Sequence, residues 1–228
     1  MVFWLDPLYF LFVLIPTLLI SAGVQLYLRR TYARWSTVRN GSNLNGAQVG
    51  QQIFSRTALK AIPLQRTPGA LSDHFDPRAN VVRLSEPVAA QPSIASMAVT
   101  AHELGHVQQY QAGSGMMRVR NLLVPALRFS PTLAYLFIFF GIIAGVAGLL
   151  WIGIGFFLLV VIFSVLTIPV ELDASRRALR MLDEANLIVD EQDRIGARSM
   201  LNAAALTYVG AAAVAILQLL YYIGLARR

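Results

Sequence analysis

The chain has 228 residues, 56% of them hydrophobic and only 14% charged, where a soluble domain of this length carries about 25% charged residues. That excludes an ordinary soluble enzyme as the whole molecule and points to a membrane protein with a modest water-facing part. The net charge of +7 rests on arginine with a single lysine; no basic run with interleaved aromatics appears, so no nucleic-acid partner is expected, and the absence of cysteine excludes disulfides, thiolate ligands and a cysteine nucleophile.

The first apolar stretch, Leu8 to Leu28, carries no charge and has the length of one transmembrane helix, about 20 residues. The preceding "MVFWLD" lacks the positive charge of a signal peptide, and Arg29, Arg30, Arg34 and Arg39 follow the stretch. A second apolar region runs from Leu133 to Val170. As one straight helix it would be about 57 Å long, against a hydrocarbon core of about 30 Å. Two crossings are expected, with a turn in "GIIAGVAGLLWIGIG", near residue 151. Ser199 to Ala226 supplies a last span, for a total of four. The expected organisation is a first span in 1–28, a water-facing segment 29–131, a two-span hairpin 132–170, a second water-facing segment 171–202, and a last span with tail in 203–228. Of the 19 basic residues, 12 lie in 29–131 and five in 171–202. Basic loops face the cytoplasm, so both segments are expected there and both termini outside.

Within 29–131, Asn43 or Asn45 is placed to cap a helix with apolar positions Val49, Ile53 and Leu59. The Pro-Gly pair at 68–69 and the "DPRAN" cluster read as turns, with His74 in a turn-rich loop. "VVRLS" reads as a strand. After "EPVAAQPS" a helix begins, capped by Ser93, and runs through "TAHELGHVQQY", residues 100 to 110.

That stretch carries the chemistry. His102 and His106 are four residues apart, so a helix brings both imidazoles to one face, one turn apart. In that arrangement both bind one zinc ion, and Glu103 is placed as general base on zinc-bound water. An isolated HExxH also fits a solvent-exposed helix with chance histidines. Two of the three histidines are spent here, however, and the preceding "IASMAVTA" is uncharged, which points to a buried helix. Gly105 costs about 1 kcal/mol relative to alanine, and a close approach of backbone or substrate would explain it. A catalytic zinc takes three protein ligands and leaves one position for water. No further histidine follows, and the first acidic residue after Glu103 is Glu171. It is the expected third ligand, provided that the hairpin returns it to the side of His102 and His106. Asp173 is the alternative ligand, and pairing of Glu171 with Arg176 or Arg177 is the non-functional reading. Ser175 shares the Glu171 face of a helix and is placed to hydrogen-bond a ligand. His74 is a candidate for stabilising the oxyanion or closing over the metal, against an ordinary surface histidine. Asp76 shapes the Asp-Pro turn.

Together, "LSDHFDPRANVVRLS", "AVTAHELGHVQQ" and "PVELDASRRAL" resemble the YugP-type bacterial membrane zinc metallopeptidases, in order and from about residue 4 to the end. The resemblance implies a gluzincin-like peptidase with one zinc per chain, held by His102, His106 and Glu171, with Glu103 as catalytic glutamate. It marks the His74 block as a family feature. It differs from the HtpX and CAAX-protease type, where an aspartate follows the glutamate ligand by four residues; here that position is Ser175. The expected fold is mainly α: four transmembrane helices with a zincin-like α+β cytoplasmic part that carries HExxH on a helix. The expected setting is the bacterial inner membrane, multi-pass, with a cytoplasmic site and a polypeptide substrate. A site-2-type intramembrane protease is disfavoured, because "QPS" and "QQYQ" flank the motif and no Asp-Gly occurs. A non-catalytic membrane metal-binding scaffold is the alternative, and it would not need Glu103.

Overall fold

The computed structural model describes residues 6–227; residues 1–5 and 228, at the outer ends of the first and last expected segments, lie outside the described residues. The chain opens with α1 (Pro7–Tyr9), started by the Asp6 carboxylate accepting from the Leu8 N–H at 3.0 Å. A π-helical stretch, Phe10–Leu14, leads into α2 (Ile15–Ser36). The wide turn ends just before Pro16, whose ring would collide with the Phe12 carbonyl in a regular α-helix.

Next come α3 (Gly46–Arg56), β1 (Leu64–Thr67), β2 (His74–Asp76), β3 (Val81–Ser85), the short α4 (Glu86–Ala90) and α5 (Ile94–Gln111). Asn45 caps α3 through a reciprocal pair: its side chain accepts from the Gln48 N–H, and the Gln48 side chain accepts from the Asn45 N–H. This satisfies two otherwise orphaned donors. Val49 and Ile53, four apart, fall on one buried face. The expected strand "VVRLS" is β3, the centre of a three-stranded sheet in the order β1-β3-β2. β1 runs parallel to it and β2 antiparallel, with Phe75 opposite Val82.

The remaining helices are α6 (Gly115–Leu127), α7 (Ser130–Ala144), α8 (Ala147–Glu184) and α9 (Glu191–Ala226). Among the described residues, three helices are long and apolar enough to cross a membrane: Pro7–Ser36, Ala147–Glu184 and Glu191–Ala226. The pair α6 and α7, bent by 48°, qualifies as a fourth only if it is one broken span.

The turn expected within "GIIAGVAGLLWIGIG" falls inside that stretch, near its start. It lies at Gly145–Val146 rather than near residue 151, and α7 ends at Ala144 while α8 runs unbroken for 38 residues. Gly145 takes φ +65°, and the Val146 N–H closes back on the Gly141 carbonyl at 3.0 Å, a left-handed helix stop that glycine alone adopts without penalty. Gly153, nearer residue 151, serves a different purpose. A Cβ on Gly153 would sit 2.6 Å from Ile138 Cγ1, so its missing side chain lets α8 approach α7 closely.

The chain forms two compact units. One comprises the residues up to Gln25, Arg118–Pro169 and those from Leu206 onward. Its interior is a small cluster of Ala134, Ile138, Ile154, Phe157, Val161, Ala215 and Tyr222. The other comprises Leu26–Met117 and Val170–Ala205. Its larger core joins Val49 and Ile53 of α3, Val82 and Leu84 of β3, Met97 and Leu104 of α5, Met181 and Leu182 of α8, and Met200 and Leu201 of α9.

Candidate metal centre

The site is built in the second unit from α5 and the part of α8 that follows Pro169. Ser93 starts α5 by accepting from the Ser96 N–H at 3.1 Å, as its sequence position suggests. The helix is buried along most of its length, so its polar residues must find partners within the fold. A Cβ on Gly105 would overlap the Ala174 carbonyl. The glycine therefore admits the backbone of α8, and that approach carries Glu171 to the two histidines.

The Nε2 atoms of His102 and His106 lie 3.2 and 3.4 Å from the same oxygen, Glu171 Oε2. The two imidazoles meet edge to face with centroids 4.8 Å apart. Their side chains are 12% and 11% exposed, and that of Glu171 only 2%. Among the described residues these three form the one group of histidine and carboxylate donors with ligand atoms mutually within 4.8 Å. The spacing can be tested against zinc. Nitrogen at about 2.0–2.1 Å and oxygen at about 2.0–2.2 Å from a tetrahedral ion stand about 3.3–3.5 Å apart. The two nitrogen–oxygen separations, 3.2 and 3.4 Å, are close to those edges, and two neutral imidazoles with one carboxylate are a donor set that zinc favours.

The electrostatics agree. Burial disfavours charge on His106, but the Glu171 hydrogen bond and the nearby Glu171 and Glu103 carboxylates outweigh it and raise its pKa above the usual histidine value. Burial likewise opposes ionisation of Glu171, and the two histidine contacts overcome it, holding the carboxyl well below the usual range. The pocket thus stabilises positive charge at its centre, whether a proton or a metal ion provides it.

Glu103, next to the first histidine, is buried. Its Oε2 accepts from the Phe75 backbone N–H at 2.9 Å. Strand β2 therefore fixes the carboxylate, an arrangement with no signal in the sequence, because the donor is a main-chain group 28 residues away. Ser175 Oγ lies 3.3 Å from His102 Nδ1, consistent with its place on the Glu171 face. Gln109 was not singled out by sequence reasoning, although it lies three residues after His106 and so on the same side of the helix. Its Oε1 is 3.0 Å from His106 Nδ1.

Asp173, the alternative ligand, is not in the cluster. Its Oδ2 accepts from Gln109 Nε2 at 2.8 Å and from Arg177 Nε at 2.7 Å. His74 is not there either, and its expected loop is corrected: it opens strand β2. Its Nδ1 donates to the Ser72 carbonyl at 2.8 Å, and its Nε2 faces Arg83 at 3.5 Å. Residues two apart on a strand share a face, and Asp76 also binds Arg83, at 2.7 Å. Phe75, on the opposite face, packs against the core and against Tyr110. The block is a short strand because its side chains alternate between these two environments. Asp76 also accepts from the Arg78 and Ala79 N–H groups, which forms the Asp-Pro turn.

Comparison with known proteins gives two findings. A family described as "Putative neutral zinc metallopeptidase" matches residues 10–227. A relative from Bacillus subtilis (strain 168), named "Putative membrane protease YugP", is 35% identical over 214 residues, covering 94% of this chain and 95% of the relative. No solved structure matches the chain.

Proposed function

The chain belongs to the neutral zinc metallopeptidase family, and from that premise we propose that it is a membrane-embedded peptidase whose one zinc ion is held by His102, His106 and Glu171. The observation that carries this reading is the convergence of both histidine Nε2 atoms on one Glu171 oxygen at zinc-like spacing. When bound, zinc supplies Lewis-acid polarisation of a peptide carbonyl and acidification of water. Glu103 takes the proton from the attacking water and delivers it to the leaving amine, as a general base and then a general acid. The Phe75 N–H holds that carboxylate in one orientation and so lowers the entropic cost of reaching the reactive geometry. His74, held by Ser72 and Arg83 at the start of β2, remains the candidate for stabilising the oxyanion or closing over the metal.

The same cluster bears on topology. His102 and Glu171 can meet only if the chain between them crosses a bilayer an even number of times. The apolar part of α8 is one crossing, and the bent pair of α6 and α7 is the segment able to supply the other. That favours four spans, with 29–114 and 171–202 on one side, and their arginines favour the cytoplasm. The substrate is a polypeptide.

Zinc content per chain, measured on detergent-purified protein, tests the ligands. Near one zinc in the wild type and near none in Glu171→Ala is the expected result. Glu103→Gln then separates a peptidase from a scaffold: zinc stays and hydrolysis falls by about 10²–10⁴-fold. Undiminished hydrolysis in that variant would exclude Glu103 as the base, and no zinc in the reconstituted wild type would exclude the reading altogether.

A further inference from the structure

We infer that Gln109 is a positioning residue that fixes the tautomer of His106, and that Asp173 acts on the site only through the Gln109 amide. The inference rests on the zinc reading above and deepens it. Gln109 is 1% exposed. Its Nε2 donates to the Val170 carbonyl and to Asp173 Oδ2, both at 2.8 Å. A carbonyl and a carboxylate only accept, so the nitrogen end of the amide is determined. Oε1 then faces His106 Nδ1 at 3.0 Å, and an amide oxygen can only accept. Nδ1 therefore carries a hydrogen, so in the neutral imidazole Nε2, 3.4 Å from Glu171 Oε2, is the nitrogen left to ligate.

The chain of contacts continues outward. Asp173 is clamped by Arg177, one turn further on α8, through Nε at 2.7 Å. Arg177 also reaches back to Gln108 on α5 at 3.3 Å. The two histidines are thus held by different means. His102 Nδ1 meets a serine hydroxyl, which donates or accepts as required. His106 Nδ1 meets an oxygen that only accepts and whose amide cannot turn without breaking two bonds. His106 is the ligand whose metal-binding nitrogen is prepared in advance, and the carboxylate that sets the arrangement is kept one residue away from the imidazole.

Three full-length variants test this in detergent: Gln109→Met, Gln109→Glu, and the double variant Gln109→Glu with Asp173→Asn. Zinc affinity is read by chelator competition, and ligand geometry by the visible absorption of the cobalt-substituted protein. Gln109→Met keeps the volume and removes the acceptor; we expect affinity to fall roughly 10–100-fold, with a changed cobalt band. Gln109→Glu sets two carboxylates face to face and is expected to be similarly weak. The double variant relieves the carboxylate pair, keeps the net charge and still offers His106 an acceptor, but leaves the new carboxylate facing the Val170 carbonyl, so affinity should recover in part, clearly above that of Gln109→Glu. A purely space-filling role would not be rescued by the second substitution. The inference is overturned if the wild type binds zinc and Gln109→Met stays within about threefold of it, or if the double variant binds no better than Gln109→Glu. A wild type that holds no zinc overturns the underlying reading, and this inference with it. Should Gln109→Met fail to fold, the pair of glutamate variants still decides.

Discussion

The two compact units use similar residues in opposite ways. In the unit that contains α7 and most of α8, large apolar side chains face outward: Leu122 is 78% exposed, Ile143 67% and Phe140 55%. Its few polar groups turn towards each other, as where Tyr221 donates to Asp6 and Tyr9 to Gln218. In the unit that holds the candidate metal centre, Val49, Leu84, Met97 and Leu104 are enclosed, and the enclosed carboxylates of Glu103 and Glu171 are matched to N–H groups or imidazoles. An averaged composition of 56% hydrophobic residues conceals this division. One unit is arranged for an apolar solvent, in which backbone polarity must be satisfied internally. The other encloses its apolar side chains and buries these carboxylates with partners. Substitutions should therefore act differently in the two.

The largest contrast should come from a ligand. Glu171→Ala is expected to remove nearly all bound zinc, whereas Leu122→Asn, on the outward face of the other unit, should leave zinc content and hydrolysis at wild-type levels. Elemental analysis of both variants checks this, and a parallel loss in Leu122→Asn would dissolve the distinction between the units. The next largest effect should arise in the apolar unit. Leu158, on α8, is outward-facing. An arginine there should cost about 2.5–3.5 kcal/mol of membrane insertion if that stretch of α8 crosses a bilayer. The integrated fraction, measured by alkaline extraction, should drop, and the zinc content of the protein that does integrate should not.

Most of this division is legible in the sequence, for a physical reason. Hydropathy and helical spacing are local properties, so the apolar helices, the Asn45 and Ser93 caps, the strand at 81–85 and the pairing of His102 with His106 follow from neighbours in the chain. The approach of Glu171 was reached less directly, by elimination and by the need to bring it back to the side of the histidines. What stayed hidden depends on contacts remote in sequence. The turn at Gly145 could not be told from Gly153, because a glycine needed for positive φ and one needed for close packing look alike. The Phe75 N–H that holds Glu103 is main chain and has no letter of its own. Asp173 looked like a ligand because it is acidic and near Glu171; only the packing of α5 on α8 shows Gln109 standing between it and His106.

Within the unit that holds the candidate metal centre, packing can be separated from coordination. Gly105→Ala places a methyl against the Ala174 carbonyl, and overpacking of this kind costs about 1–3 kcal/mol. The variant retains every ligand, so thermal unfolding should fall by several degrees and zinc affinity should weaken, because α8 must shift away from α5. A normal melting temperature would mean that the helices have room to separate.

The smallest effect should be Asn45→Ala, which removes one half of the reciprocal cap on α3 and is expected to lower stability by about 1 kcal/mol. Helix α3 contributes Val49 and Ile53 to the core but no atom to the metal cluster. Chemical denaturation should therefore show a lower midpoint, while zinc stoichiometry stays near one per chain. A cap loss that also emptied the metal centre would mean that the cluster is held by the global stability of the unit rather than by the contact of α5 with α8. The distinction between core and centre would then have to be redrawn inside this unit.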